Sequence, residues 1–367
     1  YASLAQSPTQ WPCKTGDTVG LARLYTDGIF PTASGKAQFY AQEYHPPSEV
    51  PNARYPIRLL TGRLRDQWHT MTRTGSVGKL ANHAPEPLIT LHPADLARRS
   101  IKAGSLIKVS NKRGSVIMRC ESSDAMQPAC AFIPMHWGAR HLAGLGMNVL
   151  TNPAFDPISK QPELKHTLIR IEPVDLPWQA VAYARATPER MQALSLLLNK
   201  FAYASCHFIA EDVDAIVWRC ANPVAPDAAL ITQLDVTLGL DNNPLVLRYD
   251  DAQNSVHKAL LIQHNQLHAF RLGGEVAAQG WLSQALLTKQ DISALRRWLL
   301  APIAQPSGTQ NASKIICNCL GVREDAIIAC VQSGADLSAL QTQLACGTKC
   351  GSCVPELKRM VRLYQSP

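Results

Sequence analysis

A chain of 367 residues with 46% hydrophobic and 17% charged positions is long enough for two or three cores and too apolar to be disordered. Its apolar runs fall short of the roughly 18 to 20 residues a membrane span needs, so no membrane partner is expected. The net charge of +8 comes from dispersed Lys and Arg without an aromatic-interleaved stripe, which argues against nucleic acid and for an anionic cofactor or substrate.

Eleven cysteines, with Cys13, Cys120, Cys130, Cys206 and Cys220 scattered ahead of a dense C-terminal group, do not read as a secreted disulfide framework. A reducing cytoplasm fits them better. The sequence starts at Tyr1 rather than Met, which suggests a fragment. Residues 54–173 read as short strands, Tyr55–Thr61, Pro87–Leu91, Leu106–Ser110 and Ser115–Arg119, with the turn Asn111-Lys112-Arg113-Gly114 between the last two. The stretch PADLARRSI has Pro93 at a first helical position and Gly104 beyond it, so a helix is expected over 93–101, inserted in a β-barrel.

Pro173 and Pro177 in EPVDLPWQA mark a first linker, after which residues 178–300 read as α+β. Thr187-Pro188-Glu189 is an N-cap followed by a proline-led first turn, with Met191, Leu194, Leu197 and Leu198 at helical spacing. VHKALLIQHNQLHAFRLGG predicts a hairpin turning at His264-Asn265-Gln266, and WLSQALLTKQDISALRRWLL predicts a helix after it. A second linker, APIAQPSGTQNAS over 301–313, isolates residues 314–367, a unit so small that a bound metal or cluster is a common remedy for its limited core.

That unit carries Cys317-Asn318-Cys319 and Cys350-Gly351-Ser352-Cys353, and residues 320–349 between the pairs hold two helix patterns, 323–333 and 337–344. The four thiols can therefore converge, and Pro355 favours a helix start immediately after the second pair, its N-terminus facing an anionic centre. Spacing alone leaves tetrahedral zinc and a 2Fe-2S cluster both open. Cys330, mid-helix, and Cys346, off the motif, read as packed side chains. Over residues 314–361 the tail resembles the bacterioferritin-associated-ferredoxin-like 2Fe-2S domain, which implies a small all-α unit with the cluster on Cys317, Cys319, Cys350 and Cys353. A structural zinc knuckle is the alternative.

Two loops of the strand-rich region are rich in ligand chemistry. LLTGRLRDQWHTMTRTGSVGKL (59–80) gathers hydroxyls, backbone amides and guanidinium groups of the kind that hold phosphates, although a solvated polar loop has the same composition. FIPMHWGARHLAGLGMNVLTNPAFDPISKQPELK (132–165) is too long and polar for an idle connection. Together they resemble the C-terminal molybdopterin-dinucleotide-binding domain of the bis-molybdopterin-guanine-dinucleotide oxidoreductases, which include formate dehydrogenases and nitrate reductases. The resemblance implies a double-psi β-barrel in which Thr61, Gly62, Arg63, His69, Thr70 and Thr72 of the first loop and Asn148, Asp156 and Lys165 of the second contact the dinucleotides. His69 and His136, each beside a tryptophan, also read as hydrogen-bonded packing residues.

The order of these domains resembles the large catalytic subunit of bacterial assimilatory nitrate reductase, with residues 1–53 as the end of its upstream catalytic domain. That implies cytoplasmic reduction of nitrate to nitrite at Mo-bis(molybdopterin guanine dinucleotide), with a 4Fe-4S cluster and the molybdenum ligand upstream of Tyr1. The electron donor would be an NADH-dependent flavoprotein, ferredoxin or flavodoxin. No catalytic residue is assigned within the chain, which alone is expected to be inactive. Residues 178–300 resemble the accessory region of those enzymes, faintly like the C-terminal part of pyridine-nucleotide flavoproteins, but lack G-x-G-x-x-G, so neither FAD nor NAD is expected there. The alternatives are another bis-molybdopterin enzyme such as a formate dehydrogenase, or a non-enzymatic iron–sulfur electron-transfer protein.

Overall fold

The computed structural model describes residues 2–17, 19–41, 43–307 and 312–365, so part of the expected 301–313 linker lies outside the described residues. The chain forms two compact units, residues 1–46 and 47–367. The first consists of a short helix, α1 (Ala2–Gln6), and turns. Within it Leu21 donates its amide to the Pro12 carbonyl at 2.9 Å, and Tyr25 stacks on Phe30 with ring centroids 4.8 Å apart.

The second unit begins with a closed six-stranded barrel. Its strands are β1 (Ile57–Gly62), β2 (Leu88–Leu91), β3 (Leu106–Ser110), β4 (Ser115–Ser122), β5 (Cys130–Pro134) and β6 (His166–Pro173), in the spatial order β1-β5-β2-β4-β3-β6. The pairs β1–β5 and β2–β4 are parallel and the others antiparallel, and the loops of interest are the connections from β1 to β2 and from β5 to β6, which join strands that are not neighbours in the barrel. Alternation sets the inside: Ile57 and Leu59 of β1 are buried while Arg58 and Leu60 face out, and Ile89, Leu91, Ile107, Val109, Met118 and Ile133 complete the core. Strands β5 and β6 fall in stretches where no strand was read from the sequence.

Two short helices, α2 (Gly78–Ala81) and α3 (Pro93–Ala97), are inserted. The expected helix over 93–101 stops at Ala97, because Ser100 takes a left-handed φ of 55° and the Ile101 amide turns back to the Leu96 carbonyl. Ahead of the barrel, Glu49 receives both guanidinium arms of Arg113 at 2.8 and 3.0 Å and Lys112 at 2.7 Å, stapling the incoming chain to the β3–β4 turn.

Residues 178–300 form one six-stranded antiparallel sheet of order β10-β11-β12-β7-β9-β8. Its strands are β7 (Trp178–Arg185), β8 (Tyr203–Ala210), β9 (Asp214–Asn222), β10 (Val246–Asp251), β11 (Val256–Gln263) and β12 (Gln266–Gly273). Along β7, Trp178, Ala180, Ala182 and Ala184 point to helices α4 (Pro188–Leu197) and α5 (Ala228–Leu238), whereas Val181 and Tyr183 point to α6 (Gln279–Leu287). A sheet covered on both faces needs apolar residues at both parities, which is why its strands lack polar alternation. Thr187 caps α4, its hydroxyl accepting from the Arg190 amide at 3.1 Å, and the β11–β12 hairpin turns on His264 and Asn265, both at positive φ. The single helix expected over 281–300 is corrected: α6 ends at Leu287, Lys289 turns left-handed at φ 53°, and a 3₁₀ segment, Ser293–Trp298, follows.

The barrel and this sheet are joined by strand addition. Leu142 bridges Ser205 on the outer edge of β8, and the Ala143 amide reaches the Ala204 carbonyl at 2.8 Å. After the sheet come β13 (Ile315–Cys317), β14 (Val322–Arg323), α7 (Glu324–Gln332), α8 (Leu337–Leu344) and α9 (Val354–Tyr364). The last unit is therefore not all-α: β13 and β14 pair antiparallel, and the chain between them holds Asn318 and Cys319. It also has an apolar core, in which Cys317, Cys330, Cys346 and Cys353 are buried beside Ile316, Ile327, Val331, Leu340, Leu357 and Met360. Among the described residues no helix is long and apolar enough to cross a membrane.

The bonds from Arg113, the first cause, hold the Glu49 carboxyl at a pKa of about 2 against burial, from an ordinary 4.5. A lowered folded-state value stabilises the fold above pH 4.5 and loses that contribution as pH falls toward 2. Glu49→Gln should therefore cost about 1–2 kcal/mol in denaturant unfolding at pH 7, with the gap from the unsubstituted chain closing between pH 4.5 and 2.

Candidate functional site

The chain leaves β1 at Gly62 and enters the first loop. Thr61 donates its hydroxyl to the Ile133 carbonyl at 2.8 Å with the Met147 sulfur 3.7 Å away, so the second long segment touches the first at this point. The Leu64 amide donates to His136 Nε2 at 3.0 Å, and burial holds that imidazole below the ordinary histidine value, as suits a ring nitrogen that accepts. His136 thus fixes the loop from inside. Arg63 is exposed and lies 4.5 Å over the Trp68 ring, where Arg73 also stacks at 5.4 Å, and His69 meets the same ring edge-on. Thr70 and Met71 both adopt left-handed φ, 51° and 57°, a strained pair of the sort that collects at binding loops. Thr70 bonds the His69 carbonyl, and Thr72 follows on the surface.

In the second segment Asn148 is exposed within the 3₁₀ turn Met147–Leu150, beside the residue that touches Thr61. Asp156 uses its carboxylate on its own turn, accepting from the Ile158 and Ser159 amides and the Ser159 hydroxyl. Lys165 is exposed just ahead of β6. The structure thus brings Thr61 and the Asn148 turn together, whereas among the described residues neither Asp156 nor Lys165 is hydrogen-bonded to the first loop.

In the tail the four motif thiols form a chain of contacts. Cys319 Sγ lies 3.8 Å from Cys317 and 3.5 Å from Cys350, and Cys353 is hydrogen-bonded to Cys317. Gly351, at φ 70°, supplies the reversal that returns Cys353 to the start of α9. Cys317 and Cys353 are buried, Cys319 is half-buried and Cys350 is exposed. Burial first, and then the neighbouring thiols, push Cys319 up to about 11 and Cys353 up to about 12. Among the described residues no three His, Cys, Asp or Glu side chains stand ready around a single metal ion. The all-sulfur donor set, brought together from two loops, fits a thiolate-held cluster in its chemistry. Cys330 bonds Gln343 at 3.2 Å and Cys346 lies 3.6 Å from the Leu340 carbonyl, both inside the core.

The loop and the tail meet through two residues that the sequence reading did not single out as a pair, Arg65 and Asp66. Arg65 donates to the Ile316 carbonyl at 3.0 Å and to Asp66 at 2.9 Å, and pairs with Glu356 in the first turn of α9. Asp66, buried, accepts from Asn318 at 2.8 Å and from Ser352 at 2.5 Å. Burial works against its charge, yet the bonds from Ser352 and Arg65 win and hold its carboxyl below the usual value. No local sequence signal pairs Asp66 with residues so far along the chain.

Residues 57–168, from the start of β1 into β6, match the family model described as the molydopterin dinucleotide binding domain. A nitrate reductase from Klebsiella oxytoca is 31% identical over 339 residues, 89% of this chain and 36% of the relative. One from Shewanella frigidimarina is 26% identical over 98% of this chain and 40% of its own length. A formate dehydrogenase alpha subunit from Methanococcus maripaludis is 32% identical over 47% of this chain and 25% of its own. The chain thus spans well under half the length of these relatives. Together the matches liken this chain to part of a molybdopterin oxidoreductase. Among solved structures, acetylene hydratase from Pelobacter acetylenicus aligns over 33% of this chain and 18% of its own, at a TM-score of 0.29 and 19% identity, too slight a likeness to place the fold.

Trp68 is 43% exposed and carries two guanidinium groups on its ring. Trp68→Ala should accelerate tryptic cleavage after Arg63 and Arg73 several-fold without moving the unfolding midpoint by more than about 1 kcal/mol, as expected for stacking at an exposed site. Unchanged cleavage would mean that stacking does not order the loop.

Proposed function

We propose that this chain is the C-terminal portion of a cytoplasmic, assimilatory molybdenum nitrate reductase, and that its tail holds a 2Fe-2S cluster on Cys317, Cys319, Cys350 and Cys353. The observation that carries the reading is the junction of the two motifs: the cysteine loops are hydrogen-bonded through Arg65 and Asp66 to the loop that leaves β1, within the span matched to the dinucleotide-binding domain. Read as a double-psi barrel, the domain would present Thr61, Gly62, Arg63, His69, Thr70 and Thr72, with Asn148, Asp156 and Lys165 from the second segment, to the guanine dinucleotides. Arg63 would leave the Trp68 ring for a phosphate. Residues 54–173 would then be the cofactor barrel, 178–300 an accessory domain and 314–367 the cluster domain, with 301–313 between them.

When bound, molybdenum with its two dinucleotides supplies the oxygen-atom transfer that turns nitrate into nitrite. This chain's part is to hold phosphates, to position the cofactor against the barrel, and to keep the thiols together. The upstream 4Fe-4S cluster and the donor, an NADH-dependent flavoprotein, ferredoxin or flavodoxin, belong to the same reading. A formate dehydrogenase is the second reading, favoured by the Methanococcus maripaludis relative, and assays of nitrate and formate on the complete enzyme separate the two.

The chain purified without oxygen should be brown, with about two irons and two sulfides per chain, and should bleach with dithionite and recover on reoxidation without forming nitrite. One zinc and no colour would overturn the cluster; nitrite formation by the chain alone would overturn the placement of the chemistry upstream. Cys350→Ser should lose the cluster and much of the tail's stability, whereas Cys330→Ser and Cys346→Ser should retain it. In the complete enzyme, Arg63→Ala should lower molybdenum and pterin content, since a bidentate phosphate contact is hard to replace, and unchanged content would remove Arg63 from the site.

A further inference from the structure

We propose that Asp66 is a positioning residue for the tail's cluster: it clasps both cysteine loops to the barrel loop, and it holds the Ser352 hydroxyl proton away from the Cys350 sulfur. The inference rests on the 2Fe-2S reading above and deepens it. Asn318 is the residue inside the first cysteine pair and Ser352 lies inside the second. One carboxylate takes both, Ser352 on Oδ1 at 2.5 Å and Asn318 on Oδ2 at 2.8 Å, while Arg65 binds Oδ2 from behind at 2.9 Å. Asp66 is 3% exposed and Asn318 4%, so water competes little for these bonds. The same carboxylate thereby sets the distance between the two loops and between both loops and the barrel.

The second half follows from proton counting. Ser352 has one hydroxyl proton and two acceptors near it, the Asp66 carboxylate at 2.5 Å and Cys350 Sγ at 3.2 Å. An ionised carboxylate at the shorter distance accepts the hydrogen bond from the Ser352 hydroxyl, whose proton stays on its oxygen, so the sulfur faces the lone pairs of Ser352. Hydrogen bonds to cluster sulfurs, and positive charge nearby, raise a cluster's reduction potential. Asp66 withholds the one and adds a negative charge, and on both counts it keeps the potential low, so that the reduced cluster gives up its electron more readily. The uninterrupted stretch from Gly62 to Asp66 is the covalent link from this contact to the end of β1, so the residue that tunes the cluster also ties it to the loop assigned to the dinucleotide.

The test uses the full chain with its cluster, titrated potentiometrically while the reduced-cluster resonance is followed. Asp66→Asn should shift the midpoint potential upward and alter the resonance, and the shift should be smaller when Ser352→Ala is also present, because the freed hydroxyl is then gone. Asp95→Asn, which removes a buried barrel carboxylate that bonds the Ala129 amide, should leave both unchanged. If the unsubstituted chain shows no cluster resonance, the cluster reading fails; if it does and Asp66→Asn leaves potential and resonance unchanged, the clasp fails. Should Asp66→Asn not fold, Ser352→Ala alone, which leaves the Arg65–Asp66–Asn318 bonds in place, should speed iron loss to a chelator. Loss no faster than in the unsubstituted chain would overturn the proposal.

Discussion

Strand β1 pairs with β5 along one edge and with β6 along the other, and this closure aims the chain that leaves its end. A strand held on both edges cannot slip by one residue without turning Ile57 and Leu59 out of the core, so the direction of Thr61, Gly62 and Arg63 is fixed by burial far from the loop. From there the His136 imidazole takes the Leu64 amide, Trp68 gathers Arg63 and Arg73, and Arg65 with Asp66 reaches the tail. The chemistry of the loop is thus mounted on a packed barrel rather than left to solvent.

How much of this was legible depended on the range of the interaction. Strand β3, the hairpin at His264 and Asn265, the Thr187 cap and α8 are written in short-range signals, namely alternation, turn residues and capping hydroxyls, and each is found where those signals place it. Strand β5, CAFIP, and β6, HTLIRIEP, were not read as strands, because each lies in or beside a long loop-like stretch and is defined by its partners across the barrel. The helix expected to run to Ile101 ends early because Ser100 reverses the chain, and the one expected to run to Leu300 breaks at Lys289.

The candidate site divides in the same way. The cysteine pairs were legible because the spacing within each is local, and the 3.5 Å contact between Cys319 and Cys350 follows from α7 and α8 folding the chain back on itself. Asp66 was not legible: a lone Asp in a basic loop carries no mark of the two side chains it will bind, and only the folded chain shows that both lie inside cysteine pairs. The ion pair of Arg271 with Asp235 is a similar case, a guanidinium 1% exposed beneath α5 that binds the carboxylate at 2.6 and 3.0 Å and stitches helix to sheet. Half of such a pair, exposed in sequence, looks like ordinary surface charge.

The bridge from Leu142 to Ser205 gives the central sheet a function in shaping the barrel's longest excursion. The added segment occupies an edge of β8 that would otherwise present unpaired amides and carbonyls to other chains, so the molecule seals its own adhesive border. It also divides the run between β5 and β6 into two shorter spans, 135–140 and 144–165, each with less freedom to lose than the undivided loop. A tether in mid-span is what a long surface excursion needs to keep one shape, and here the anchor belongs to a sheet of its own core. Residues 178–300 thereby act as the jig on which the second segment is held.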